Sequence, residues 1–329
     1  MKTKLRRIHF KIQGLTAVLW VSLLLAACSP TSPAANATLP PTATTNPPIA
    51  APIVLVDGLG RQVTLEGAAQ RILSLAPSNT EILFAIGAGE QVIGRDTFSD
   101  YPEEAKTLAD VGGGFGDLNT EAIVSLQPDL VLAAEITPPE QIQALANLGL
   151  TVFAVPNPVE FDELFDNLKV FGVLTGREHE AQVLAETLKI RLAAVEQAAA
   201  KATDRPLVFY ELDSTDPNAP WTSGPGTFID TMIRLAGGEN LGATLEGAWI
   251  QVSLEELIRR DPQVIILGDY TLGGVTPEMV MERLGWEGLK AVKDKRIYIF
   301  DDNLVSRPGP RLLDGLEALA RLLHPALFE

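Results

Sequence analysis

The strongest constraint on the fold is a pattern that occurs twice. Glu121-Ala122-Ile123-Val124 leads through Pro128 to Leu130-Val131-Leu132, and Glu255-Glu256-Leu257-Ile258 leads through Pro262 to Val264-Ile265-Ile266. In both copies the glutamate stands seven residues before the proline. A second echo precedes each copy. Ile86-Gly87-Ala88-Gly89-Glu90 and Leu235-Ala236-Gly237-Gly238-Glu239 both read as the glycine-rich close of a helix. Two echoes in the same order predict a pseudo-symmetric pair of lobes.

Short apolar runs alternate with helical patterns from residue 53 onward. A hairpin is expected from 53–56 and 63–65, flanking Asp57-Gly58-Leu59-Gly60. Strands at 71–75, 92–94, 130–133 and 152–155 alternate with helices at 78–86, 119–126 and 138–148; the first helix opens on Ser78-Asn79-Thr80-Glu81, with the spacing of a capping box. Later strands fall at 207–211, 264–267 and 297–300, and later helices at 227–236, 253–259 and 308–323. This alternation predicts an α/β fold, two Rossmann-like lobes whose mostly parallel sheets are covered on both faces.

Two helical stretches, 161–174 and 177–202, lie between the halves. The longer one carries apolar residues at 181, 184, 188, 192, 195 and 199, three or four apart. At 1.5 Å per residue it makes a rod of ~39 Å, long enough to run across both lobes. A rigid linking helix resists hinge bending, and the cleft between the lobes is the natural ligand site. The expected organisation is an N-terminal lobe at 53–158, a helical linker at 159–203 and a C-terminal lobe at 204–329.

The first 27 residues carry Lys2, Lys4, Arg6, Arg7 and Lys11 and no acid, followed by the apolar run 15–27. That run is too short to span a ~30 Å hydrocarbon core but suits a signal peptide. Leu25-Ala26-Ala27 before Cys28, the one cysteine, resembles a bacterial lipobox. The resemblance implies cleavage before Cys28 and lipidation there, hence an extracytoplasmic protein anchored to a membrane. Residues 29–52 hold seven prolines, five threonines and no charge, a composition that suits an extended tether.

Without the leader, 21 bases face 42 acids, a balance of −21. So acidic a body repels nucleic-acid backbones and anionic lipid. A single cysteine excludes a disulfide framework or a Cys-based zinc site, and His179 and His324 alone supply too few imidazoles for a bare-metal site. No resident cofactor or metal is expected. No Gly-x-Ser-x-Gly elbow occurs and no histidine is placed as a general base. Carboxylates are plentiful, so a lipid-anchored hydrolase stays open as an alternative class.

Arg71-Ile72-Leu73-Ser74-Leu75-Ala76-Pro77-Ser78-Asn79-Thr80-Glu81, Phe98-Ser99-Asp100-Tyr101-Pro102, Leu126-Gln127-Pro128-Asp129-Leu130-Val131 and Arg307-Pro308-Gly309-Pro310-Arg311 together resemble the helical-backbone substrate-binding proteins of ABC importers. These carry iron–siderophores, haem and corrinoids. The nearest likeness is to the cobalamin-binding branch, through Ser-Asp-Tyr-Pro and Trp249-Ile250-Gln251-Val252-Ser253. Family membership implies no catalysis, a monomeric receptor, and a permease dimer with its ATPase as partners. In the cobalamin-binding relatives the residue before Ser-Asp-Tyr-Pro is a tyrosine that packs on the corrin; Phe98 keeps the ring and loses the hydroxyl. Trp249 and Trp221 match two further aromatics, Asp302 (or Asp301) matches an acidic residue, and Arg307 matches the first arginine of the terminal motif. A further cleft tryptophan of those relatives falls on Ala134. Glu121 and Glu255 match the glutamates that dock onto permease arginines, although each also suits a helix N-terminus electrostatically.

An aromatic cleft also follows from the residues themselves. A bulky metal chelate offers apolar faces and a polar rim, which aromatic side chains and a few polar groups recognise. The candidate ligand residues are therefore Phe98, Tyr101, Trp221, Trp249, Asp302 and Arg307. Core packing is the competing reading for Phe98, Trp221 and Trp249, and a salt-bridged surface role for Arg307. Trp286 is expected to be structural. A corrinoid is the leading ligand. Haem, through Tyr101, Tyr210, Tyr270 or Tyr298, and ferric siderophores, through Arg307, remain open.

Overall fold

The computed structural model describes residues 51–114, 116–134 and 137–328. The leader, Cys28 and nearly all of the tether lie outside the described residues. Contacts gather Ile49–Glu329 into one compact unit that holds every strand below.

Strands β1 (Ile53–Val56) and β2 (Gln62–Leu65) pair as the expected hairpin. Its turn is held by Asp57, whose carboxylate accepts from the Leu59 and Arg61 backbone and pairs with the Arg61 guanidinium. Strands β3 (Ile72–Ser74), β4 (Val92–Arg95), β5 (Ala109–Asp110), β6 (Leu130–Ala133) and β7 (Val152–Ala154) form a parallel sheet in the order β5-β4-β3-β6-β7. In the second half, β8 (Leu207–Glu211), β10 (Glu239–Asn240), β12 (Val264–Leu267) and β13 (Ile297–Ile299) form another, in the order β10-β8-β12-β13, again parallel throughout. Between β8 and β10, strand β9 (Trp221–Ser223) pairs antiparallel with β11 (Trp249–Gln251) in a ribbon of its own.

Both sheets are covered on both faces, as near-continuous apolar strands require. In β6, Leu130 and Leu132 enter one cluster while Val131 and Ala133 enter another. In β12, Val264 and Ile266 divide from Ile265 and Leu267 in the same way. The period-two alternation of a strand makes that partition.

Helices α1 (Pro77–Ala85), α2 (Thr120–Leu126), α3 (Pro139–Asn147), α6 (Phe228–Leu235) and α7 (Leu254–Arg260) supply the covering layers. The duplicated pattern is structural. Asn119 caps α2 by accepting from Ala122 N–H, and Ser253 caps α7 by accepting from Glu256 N–H. Both helices end on a left-handed residue, Gln127 and Asp261, each at φ 50°, directly before the proline that feeds the next strand. The glycine echo matches too. Gly87 and Gly237 take φ of 76° and 86°, conformations that favour glycine, and each donates its N–H back into the helix it ends.

Helices α4 (Phe161–Thr175) and α5 (Glu178–Ala199) link the halves. At 22 residues α5 is shorter than the expected span, about 33 Å long. One hydrophobic cluster runs unbroken from Ile82, Leu83 and Phe165 through Leu188 and Val195 of α5 to Ile233 and Leu316. At the start of α4, Phe161 packs edge-on against Phe228 of α6 at 5.0 Å. Glu160 also reaches Arg234 of α6 at 3.0 Å. The lobes therefore share a core rather than merely a connection.

Two expectations need correction. The capping box at Ser78–Glu81 does not form: Pro77 opens α1, Ala76 is its N-cap without a side-chain bond, and Glu81 turns to a distant partner. The closing helix begins at Leu312, not 308. Arg307–Arg311 is non-helical because Pro308 and Pro310 lack N–H donors and the segment lies against α1, where a Cβ on Gly309 would stand 3.4 Å from Glu81 Oε2.

Candidate functional site: an aromatic interlobe cleft

The loop after β4 is built around a buried acid. Asp96, 1% exposed, accepts from the Ser99 hydroxyl and, at 3.0 Å, from the Phe98 N–H. Thr80 of α1 bonds both Ser99 and Ser74 at 2.8 Å, so a chain of buried polar groups fixes the loop to the sheet. Burial pushes the Asp96 carboxyl above its ordinary range, against the bonds from Ser99 and Phe98. The loop presents Phe98 and Tyr101 outward, 40% and 45% exposed, so neither is a core residue.

The two candidate tryptophans stand on the β9–β11 ribbon. Trp249 lies opposite Ser223 and Trp221 opposite Gln251. Residues opposite each other, and residues two apart, share a face. Both tryptophans therefore occupy the same face of the ribbon as diagonal neighbours. Both are exposed, while Thr222 of the opposite face is fully buried. Trp286 is fully buried, its indole N–H donated to Pro217 O at 3.2 Å.

The acid and the arginine of the terminal motif are already engaged. Asp302 is half-buried and accepts the Tyr210 hydroxyl at 2.9 Å, while Asp301 beside it is exposed. Burial raises the Asp302 carboxyl above its usual range, and the same buried pair drives the Tyr210 phenol well above its own. Of the four tyrosines considered for haem, Tyr210 is thus sealed in the core, whereas Tyr101 and Tyr270 are exposed. Arg307 lies 2.5 Å from Asp100 and 3.8 Å from Glu81, both on the opposite lobe.

Glu81, Asp100 and Arg311 were not expected at the site. Arg311 grips Glu81 with two bonds of 2.9 and 2.5 Å and lies 3.9 Å over the Tyr101 ring. Burial pushes the Glu81 carboxyl up, opposed by Arg311, and Glu81 in turn raises the Arg311 guanidinium. For Asp100 burial pushes upward too, but the bond and charge of Arg307 outweigh it and hold the carboxyl below its ordinary range. All three lie within the motifs that carry the family resemblance, and the local spacing of Glu81 after Ser78 suggests a helix cap instead. Only its partner 230 residues away reveals its job.

Glu121 and Glu255 are both exposed in the first turns of α2 and α7. Neither forms an ion pair among the described residues, although the adjacent Glu256 is tied to Arg259 and Arg260. A cavity of about 890 Å³ opens elsewhere, on the flank of the N-terminal lobe, between Phe84, Glu90, Leu108 and Arg177. Of the candidate ligand residues only Tyr101 lines it. Where Pro308 meets Ser78, Asn79 and Asn167, a gap of about 20 Å³ has room for a single water.

Below the ribbon, Glu211 and Arg283 form a buried two-bond pair at 2.6 and 2.9 Å. Asp269 lies beside them; its Oδ2 accepts from Ser214 at 2.6 Å and its Oδ1 has no hydrogen-bond partner among the described residues. Burial and the charge of Glu211 push Asp269 up to about 7. A carboxyl raised from 3.8 contributes stability that is complete below about pH 4 and lost as pH rises toward 7. Asp269→Asn should therefore flatten the pH dependence. Its thermal midpoint at pH 8 is expected to exceed that of the unsubstituted protein by roughly 5 °C, with the gap narrower at pH 5 and closed near pH 4. Equal midpoints at pH 8 would refute the upward shift of the Asp269 carboxyl.

Against known proteins, the family model for periplasmic binding proteins matches residues 72–304. An uncharacterized ABC transporter substrate-binding lipoprotein of Bacillus subtilis, YvrC, is 34% identical over 283 residues, covering 84% of this chain and 87% of its own. The crystal structure of the periplasmic vitamin B12 binding protein BtuF of Vibrio cholerae is similar at TM-score 0.69 and 29% identity, covering 79% of this chain and 99% of that one. The periplasmic heme-binding protein RhuT of Roseiflexus sp. RS-1 is similar at TM-score 0.70 and 29% identity, covering 79% and 100%.

Proposed function

The chain belongs to the periplasmic binding protein family, and on that footing we propose that its interlobe cleft captures a corrinoid for an ABC importer. The observation that carries the ligand reading is the aromatic arrangement. Trp221 and Trp249 share one exposed ribbon face on one lobe, and Phe98 and Tyr101 stand exposed on the other. Flat apolar faces with a polar rim match such a set. The B12-binding structure of Vibrio cholerae supports the same choice. Haem is the second reading, favoured by the exposed phenols of Tyr101 and Tyr270 and by the heme-binding relative. No relative reported above is named as a hydrolase.

The test is calorimetric titration of the full-length protein in detergent with cyanocobalamin, cobinamide, haemin and ferric siderophores. One-to-one corrinoid binding is expected. Replacing Trp221 and Trp249 together by Ala should weaken it roughly 100-fold, because truncated aromatic anchors are typically worth 2 kcal/mol or more. Binding of an iron chelate alone would move the substrate while keeping the importer role.

The remaining roles extend this proposal. Glu121 and Glu255 dock to a permease dimer driven by its ATPase, and the receptor acts as a monomer. Cys28 carries the lipid that holds it at the extracytoplasmic face, consistent with the lipoprotein name of the Bacillus subtilis relative. Intact mass of the membrane-extracted protein checks the anchor directly: an unmodified Cys28 refutes it.

A further inference from the structure

We propose that Asp100 is a specificity residue that turns the cleft against anionic chelates by occupying Arg307, the cation the sequence offers to a ligand. This deepens the reading above and rests on it. Arg307 stands on the C-terminal lobe and Asp100 on the loop that also presents Phe98 and Tyr101, so the 2.5 Å pair crosses the cleft mouth. The Arg307 side chain is 14% exposed and that of Asp100 51%. The guanidinium is therefore mostly buried while about half of the carboxylate side chain stays open to solvent.

The second cation offers no substitute. Arg311 spends two bonds on Glu81 and its face on the Tyr101 ring. Around these two guanidiniums stand the carboxyls of Glu81, Asp96, Asp100, Asp301 and Asp302. An incoming carboxylate must either break the Arg307–Asp100 pair or lie beside an acid already paired. In the first case Asp100 is left uncompensated beside the ligand; in the second the ligand is. Both are unfavourable in a partly desolvated cleft. A neutral rim of amides carries no such cost, because an amide oxygen accepts from a guanidinium without displacing its counter-charge. Discrimination comes here from a built-in repulsion as much as from attraction.

Matched ligands isolate the effect. Cyanocobalamin and its peripheral monocarboxylate differ by one amide turned to an acid; haemin and its dimethyl ester differ by two carboxylates. Affinities of both pairs are measured for the full-length protein, Asp100→Asn and Asp100→Glu. The unsubstituted protein is expected to favour the neutral member of whichever pair it binds by at least tenfold. Asp100→Asn should cut that ratio to threefold or less, chiefly by tightening the anionic member, and Asp100→Glu should restore it. High salt should shrink the ratio in the unsubstituted protein and leave Asp100→Asn nearly insensitive. A ratio unchanged by Asp100→Asn, with the neutral member still bound, overturns the role of Asp100 alone. Failure of all four ligands to bind any of the three proteins overturns the corrinoid and haem readings, and this inference with them.

Discussion

Reversing both charges proposed to dock the permease, Glu121→Arg with Glu255→Arg, is expected to abolish uptake while chelate affinity stays within twofold. The two carboxylates occupy equivalent places: each follows a side-chain N-cap, each is exposed, and neither has an ion-pair partner among the described residues. Their worth to their own helices is small, about 0.3–1 kcal/mol each at a helix N-terminus. A large transport defect cannot then arise from lost stability. Uptake into cells carrying the cognate importer, measured beside calorimetric affinity, separates the two effects. A neutral control, Glu121→Gln with Glu255→Gln, should give an intermediate defect. Undiminished uptake by the double reversal would sink the docking role.

The second large effect concerns the contact between lobes. Glu81→Ala is expected to destabilise the fold by about 3 kcal/mol, because it strips Arg311 of both hydrogen bonds in a poorly solvated place. The Glu81 side chain is 2% exposed and that of Arg311 17%. Burial already opposes ionisation of Glu81, so the intact pair need add little net stability; what is costly is half of it. Changing both residues together, Glu81→Met with Arg311→Met, should therefore recover most of the loss. Urea unfolding of the three variants gives the answer. A loss below 1 kcal/mol in the single variant would mean that the guanidinium finds water or Asp100 instead.

The same residue shows where sequence reading reached its limit. Strands buried on both faces declare themselves as apolar runs, and β6, β8 and β12 fall at the expected limits. The expected helix starts at 119, 227 and 253 fall on the residues that cap α2, α6 and α7, because a cap is a contact over three residues. Glu81 presents a local signature, three residues after a serine, yet Arg311 supplies a stronger partner than a helix N-terminus. The β9–β11 ribbon escaped notice because each strand has three residues, too few for alternation to show. The exposure of the two tryptophans on one face of that ribbon was likewise out of reach of spacing; only their residue type marked them as candidates. Asp100 lay in plain sight within Ser-Asp-Tyr-Pro, but an ion pair 207 residues long leaves no trace in spacing.

The unbroken core that passes from Ile82 through Leu188 to Leu316 has a mechanical consequence for transport. A receptor hinged on loops can announce its cargo by changing shape. This body, keyed through α4 and α5, is instead a calliper of set gauge, and in the docking proposed above Glu121 and Glu255 are its two points. On that proposal an importer would sense occupancy at the cleft rather than the span between the points. The prising apart that frees the cargo must then be work done by the transporter.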